Sequence, residues 1–296
     1  MKERSEAKRA FLAAAGWGEA AIAPLAGDAS NRRYERLSGG PSGARAVLMD
    51  APADRGEDIG IFLAFTGLLR DLGFSAPEVY AADLGTGFAI IEDLGDALYT
   101  RLCESDPTKE HEIYAAAIDM LAAMAATELP SVARGSGAKV TLAPYNAALM
   151  VEKAALAPEW WLKAAAGASA SADQMAEFKT LANDAFSAVG AERGTLALRD
   201  FHAENLIWLP DREGAARVGL LDYQDALISH PGYDLVSLLE DARRDLSPGL
   251  AETMKARFVE LTCAEPAEFD ADYAALGAQR NLRIMGVFGR LWLRDG

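Results

Sequence analysis

The apolar positions change character along the chain. In the first ninety residues they come as short runs, Ala46-Val47-Leu48-Met49 and Phe88-Ala89-Ile90-Ile91, each long enough for a buried strand. Between them Ile61, Phe62, Phe65, Leu68, Leu69 and Leu72 recur at helical spacing, which predicts a helix over 59–72. A first helix precedes them, with Phe11 and Leu12 facing inward. Leu25 to Leu37 has a small, polar centre and reads as a turn between two strands. Ser38 to Gly43 is a loop, and Pro77 keeps the chain from returning to helix.

Beyond this the pattern is mainly helical. Ile113, Ala117, Met120, Leu121 and Met124 share one face of a helix over 109–127. Further helices are expected over 148–162 and 172–189, with a small-residue surface loop over 164–172. One compact β element interrupts them. Leu206-Ile207-Trp208-Leu209 and Val218-Gly219-Leu220-Leu221 read as two strands about a turn at Pro210-Asp211-Arg212-Glu213-Gly214. No internal repeat or long low-complexity tract is present.

Charge narrows the function classes. The 44 acidic and 29 basic residues give a net charge of −15, which argues against nucleic-acid binding and against docking on anionic lipid. With 51% hydrophobic residues the chain can build an ordinary globular core. Cys103 and Cys263 are too few for a disulfide framework or a Cys-rich zinc site, and His111, His202 and His230 form no helical metal pair. The N-terminus mixes Glu3 and Glu6 with basic residues, which favours an amphipathic helix over a signal peptide and a cytoplasmic location.

The candidate chemistry sits around the 206–221 hairpin. Antiparallel pairing brings the start of one strand beside the end of the other, so Asn205 and Asp222 should meet at one end. Asp200 lies five residues before Asn205. Two carboxylates and an amide are hard oxygen donors of the kind Mg²⁺ uses when it also shares phosphate oxygens. Asp-x-x-x-x-Asn followed by Asp after a hairpin matches the protein-kinase arrangement, in which the first Asp accepts a hydroxyl proton and the other two residues hold metal. The competing reading is that Asp200 and Asp222 are ordinary turn and cap residues.

The run Leu198-Arg199-Asp200-Phe201-His202-Ala203-Glu204-Asn205-Leu206 resembles the catalytic loop of the aminoglycoside phosphotransferase superfamily, and Leu220-Leu221-Asp222-Tyr223-Gln224-Asp225-Ala226 resembles its metal-binding segment. More narrowly, the chain is similar to the bacterial sugar kinases that phosphorylate N-acetylmuramate and N-acetylglucosamine at the anomeric hydroxyl. That likeness rests on Gly27 to Tyr34, Met49-Asp50-Ala51-Pro52, Glu92-Asp93-Leu94-Gly95, His230 to Ser237, Asp241 to Asp245 and Gln279-Arg280-Asn281-Leu282-Arg283. It covers nearly the whole chain, and related kinases continue past the position of Gly296.

The resemblance implies an α+β, two-lobed protein-kinase-like fold. A small β-rich N-lobe over 1–94 would bind nucleotide, and a mainly helical C-lobe over 95–296 would carry the catalytic loop, metal site and acceptor site. ATP and Mg²⁺ are the implied cofactors, with Asp200 catalytic and Asn205 and Asp222 on the metal. Ser30, Asn31 and Arg32 would hold phosphate oxygens, and Glu92 to Leu94 would be the hinge that meets adenine. Tyr145, Glu152 and Asp225 are the acceptor-side candidates. The partner is a small-molecule sugar, with no nucleic acid, membrane or protein partner expected. The implied role is an ATP-dependent sugar kinase in peptidoglycan sugar recycling.

One departure stands out. Protein kinases place a Lys on the third strand to reach the phosphates. Here Ala46 to Met49 has none, and Asp50 follows. Arg32, Arg33 or Arg45 could substitute, and the gap leaves a regulatory nucleotide-binding pseudokinase as an alternative. A second alternative keeps the chemistry and changes the acceptor to an aminoglycoside, a choline-like amine or an amino acid. Trp160-Trp161 reads equally as core packing or sugar stacking. His202 is expected to brace backbone, and Asp234 to cap the helix beginning at Leu235.

Overall fold

The structure is a computed structural model that describes residues 2–25, 31–189 and 194–295. Contacts divide the chain into two units, and neither is one continuous stretch. The first comprises Met1–Leu102, Pro130–Leu142 and Leu206–Gln224, and the second Cys103–Leu129, Ala143–Asn205 and Asp225–Gly296.

The first unit is built on a five-stranded antiparallel sheet. Its strands are β1 (Ala21–Pro24), β2 (Arg33–Ser38), β3 (Arg45–Asp50), β4 (Val79–Asp83) and β5 (Phe88–Glu92), in the order β1-β2-β3-β5-β4. Alternation decides which residues face the first helix, Lys2–Ala14. Ala46 and Leu48 of β3 and Phe88 and Ile90 of β5 pack with Leu12 and Trp17. The intervening Met49, Ala89 and Ile91 are buried as well, so the central strands carry unbroken apolar runs. β4 escapes sequence reading because Val79-Tyr80-Ala81-Ala82-Asp83 is half-buried, without clean alternation.

Helix Ile59–Asp71 is capped by Asp58, whose side chain accepts from the Gly60 amide, and it buries Phe62, Phe65, Leu68 and Leu69. It runs against a hairpin with no counterpart in the sequence reading, β6 (Val132–Gly135) and β7 (Ala138–Thr141). The approach is close: a Cβ on Gly67 would fall 2.1 Å from the Arg134 carbonyl oxygen, so only glycine fits there.

The second unit is mainly helical and contains two short strands, β8 (Thr195–Ala197) and β11 (Leu227–Ser229), paired antiparallel. Between them in sequence the first unit's hairpin forms from β9 (Leu206–Trp208) and β10 (Val218–Leu220). Helix Glu110–Ala125 buries Ile113, Ala117, Met120, Leu121 and Met124, as their spacing predicts. The helix expected over 148–162 is broken. Asn146 caps a shorter helix, Ala147–Ala154, a π turn covers Ala157–Trp161, and a further turn of helix runs Leu162–Ala166. Pro158 lacks an N–H and cannot continue a regular ladder. The loop expected over 164–172 therefore begins only at Gly167 (φ 63°). Ser171 and Gln174 form a reciprocal capping box that starts helix Ala172–Ser187. The long helix Pro266–Asp295 lies on the π turn through glycine: a Cβ on Gly286 would meet Leu156 at 2.3 Å. Among the described residues no helix is long and apolar enough to cross a membrane.

Candidate functional site

The catalytic-loop candidates follow β8. The loop turns through Arg199, whose φ of 73° is left-handed and uncommon for a side chain without a special role. The Asp200 carbonyl accepts from the His202 amide at 3.1 Å and from Asn205 Nδ2 at 2.9 Å. A short 3₁₀ turn over Ala203–Asn205 closes the loop. Asn205 Nδ2 also lies 3.4 Å from His202 Nε2. The amide nitrogen is thereby committed to the protein, and the oxygen is the atom left to meet a ligand. His202 is buried, which pushes its pKa down to about 4, so it is neutral near pH 7 and acts as a brace.

What holds this loop was not legible beforehand. Asp234 is 3% exposed in helix Gly232–Leu239 and does not serve that helix as its N-cap. Its carboxylate accepts from the Leu198 amide at 2.6 Å and the Arg199 amide at 2.9 Å. The expected capping role is corrected by this geometry: Asp234 lies inside the helix and its oxygens turn toward the loop before Asp200. Burial pushes its pKa up to about 7, against the pull of the two amides. Ser237 Oγ and Arg280 Nη1 donate to the Arg199 carbonyl at 3.3 and 3.1 Å. Asp234→Ala would strand two backbone donors, at about 1–3 kcal/mol each. It is expected to lower both the urea midpoint and kcat. Asp234→Asn, which keeps one acceptor oxygen, should recover part of both. An alanine variant with unchanged kcat and midpoint would contradict the bracing role.

Asp200 is itself only partly exposed and has Arg283 Nη1 3.7 Å from Oδ1. Asp225 is exposed, and its backbone carbonyl accepts from Arg199 Nη1 at 3.2 Å. Tyr145 is buried, packs edge-on against Tyr233 at 5.4 Å and accepts from Gln279 Nε2 at 2.8 Å. Burial pushes its hydroxyl upward in pKa. Glu152 is solvated and paired with Lys153 at 2.8 Å. Trp161 is exposed, and Trp160 carries Lys163 5.4 Å above its ring.

In the first unit, Leu206 of β9 lies opposite Leu220 of β10, and Asp222 follows two residues later. Asp222 has a left-handed φ of 56° and accepts from Gln224 Nε2 at 2.6 Å. Its neighbour Tyr223 anchors the segment. The Tyr223 ring stacks on Phe62 at 5.4 Å, and its hydroxyl lies 2.6 Å from Thr66 Oγ1. Glu92 ends β5, pairs with Arg212 and accepts from the Glu78 amide at 3.1 Å. The Leu94 backbone has no partner among the described residues. Ser30 lies outside the described residues. The Asn31 amide donates to Glu57 Oε1 at 3.0 Å, and Arg32 Nε donates to Glu57 Oε2 at 2.7 Å. Glu57 had no signal of its own in the sequence.

The missing Lys has a local explanation. Met49 is fully buried in the sheet, and Asp50 accepts from Arg4 Nε at 3.0 Å, with the Arg4 guanidinium 3.9 Å above the Phe88 ring. Asp50 thus ties down the first helix. Arg45 pairs with Asp93 at 3.1 Å, while Arg33 is exposed without a side-chain partner among the described residues. Among the described residues, no cluster of three His, Cys, Asp or Glu side chains could hold a metal unaided.

A sheet unit with a β9–β10 hairpin, joined in one chain to a helical unit carrying a braced Asp-x-x-x-x-Asn loop, defines a protein-kinase-like phosphotransferase fold. Residues 21–271 match the model of the phosphotransferase enzyme family, and the chain belongs to that family. Over 99% of its length it is 39% identical to a Caulobacter vibrioides protein named N-acetylmuramate/N-acetylglucosamine kinase, covering 87% of that protein. A Pseudomonas aeruginosa protein of the same name is 30% identical over 97% of this chain and 82% of its own length. In three dimensions, a Ralstonia eutropha JMP134 protein assigned as an aminoglycoside phosphotransferase superposes with a TM-score of 0.67. At 15% identity, the match covers 99% of this chain and 91% of that one.

Proposed function

We propose that the chain is an ATP- and Mg²⁺-dependent kinase. It would phosphorylate the anomeric hydroxyl of an amino sugar, N-acetylmuramate or N-acetylglucosamine, in the reuse of cell-wall sugars in the cytoplasm. The observation that carries this reading is the 39% identity, over almost the entire chain, to a protein named for those two sugars. The site residues support it. Asp200 orients the acceptor hydroxyl and accepts its proton late in transfer. Asn205, through its uncommitted amide oxygen, and Asp222 supply hard oxygen donors that fit Mg²⁺. Bound there, the metal would neutralise charge on the phosphates. The Leu94 backbone, without a partner among the described residues, offers a donor and an acceptor to adenine. Arg33 is the cation available to take the place of the absent strand lysine. Asn31 and Arg32 lie on the segment that would meet phosphate, with Glu57 holding the Asn31 amide and the Arg32 guanidinium. On the acceptor side Asp225 is open to a sugar hydroxyl. Tyr145 would act through Arg199, whose guanidinium lies 5.8 Å from its ring, and Glu152 would meet only the outer part of an acceptor.

The test is ATP consumption with Mg²⁺ and each sugar, the product being read by phosphorus NMR. The expected product is an anomeric sugar phosphate. ATP binding without turnover of either sugar would overturn the assignment and leave another acceptor or the regulatory alternative.

A further inference from the structure

Asp200 opens onto a concavity of the second unit that is open to solvent. Its lining is not the acidic surface that a net charge of −15 would lead one to expect. Arg243, Arg280 and Arg283 face it together with the single carboxylate of Asp200. Their partners leave donors over. Arg280 is 2% exposed, gives Nη1 to the Arg199 carbonyl, and has a buried Nε without a partner. Arg283 is mostly buried and stands 3.7 Å from Asp200, too far for a hydrogen bond, with none made among the described residues. Arg243 is half-exposed and pairs with Asp241 at 3.1 Å and Glu204 at 3.4 Å. Val287 and Phe288 of the long helix add an apolar wall. Buried guanidiniums with spare donors are costly unless an anion meets them, and their fork matches a carboxylate or a phosphate.

We infer that this concavity is an anion subsite for the acceptor, in which Arg283 and Arg243 bind the carboxylate of an acidic amino sugar. The inference rests on the proposed kinase activity and deepens it. Of the two candidate sugars, N-acetylmuramate carries a lactyl carboxylate and N-acetylglucosamine carries none. The same lining disfavours a polycationic acceptor such as an aminoglycoside. The other anion that could use it is the transferred phosphate, and the pair of sugars separates the two.

The experiment is steady-state kinetics of wild type, Arg283→Met, Arg283→Lys and Arg243→Gln on both sugars at saturating ATP and Mg²⁺. Melting curves confirm folding. Calorimetric binding of N-acetylmuramate without nucleotide is measured alongside. Arg283→Met and Arg243→Gln are expected to lower the ratio of kcat/KM for the acid to that for the neutral sugar by about 30-fold, or about 2 kcal/mol. The change should lie mainly in KM, with Arg283→Lys intermediate. Equal losses on both sugars would overturn the subsite and point to the phosphate, and unchanged kinetics on both would overturn it outright. Should Arg283→Met fail to fold, Arg243→Gln at the half-exposed position decides alone. Wild type that turns over neither sugar overturns the kinase assignment. The subsite then stands if the acid binds wild type and is lost from the variants, and falls if it does not bind.

Discussion

Replacing Asp200 with alanine is expected to cut kcat by about a thousandfold or more while leaving ATP affinity within about threefold, as a group acting on the acceptor hydroxyl should. The loop geometry makes the variant informative. Asp200 contributes to loop shape through its backbone carbonyl, which accepts from the His202 amide and from Asn205 Nδ2, and alanine keeps that carbonyl. The carboxylate is free of such duties, its nearest cation being Arg283 at 3.7 Å. Removing it should therefore cost chemistry and little stability. The measurement is single-turnover phosphoryl transfer beside calorimetric ATP binding and a melting curve. Residual turnover above about a tenth of wild type in a folded variant would remove Asp200 from the catalytic role. Equal loss of ATP binding would place it on the nucleotide instead.

The catalytic loop could be read from sequence because its polar residues cluster within 199–205 and interrupt apolar runs on both sides, as at Leu198-Arg199-Asp200 and Asn205-Leu206. The residues that hold it could not. Asp234 precedes the apolar run Leu235 to Leu239, a pattern identical to that of an N-cap. Only the fold reveals that its oxygens reach back 35 and 36 residues to the Arg199 and Leu198 amides. Arg280 and Arg283 sit three apart on a long helix, where such spacing usually marks a solvated face. Arg280 reaches the Arg199 carbonyl, and the long helix packs on helix Gly232–Leu239, both remote in sequence. The strands that escaped notice share a physical reason. β8 and β11 have three residues each, too few to show a period, and β6 and β7 have only four each. Helix Ile59–Asp71 and helix Glu110–Ala125 were legible because an amphipathic face persists over several turns.

Asp222→Asn is the second substitution with a large expected effect, and asparagine is the right replacement for a backbone reason. Asp222 holds a φ of 56°, a conformation that Asn tolerates and that costs an alanine about 1 kcal/mol or more. Two of the segment's anchors are also independent of its charge: Tyr223 is buried against Phe62 and Thr66, and Gln224 can still donate to an amide oxygen. A fall in activity with an unchanged melting curve would then report the lost negative charge. Asparagine keeps one oxygen donor and removes the anion that a hard dication prefers. The apparent affinity for Mg²⁺ in the presence of ATP should weaken by about 100-fold, with kcat falling by a similar factor at fixed, moderate Mg²⁺. Titrating Mg²⁺ should recover part of the rate in Asp222→Asn and none in Asp200→Ala, since only the first defect lies in metal occupancy. Binding of ATP without metal should be the same in wild type and both variants. An unchanged Mg²⁺ dependence in Asp222→Asn would take this residue off the metal.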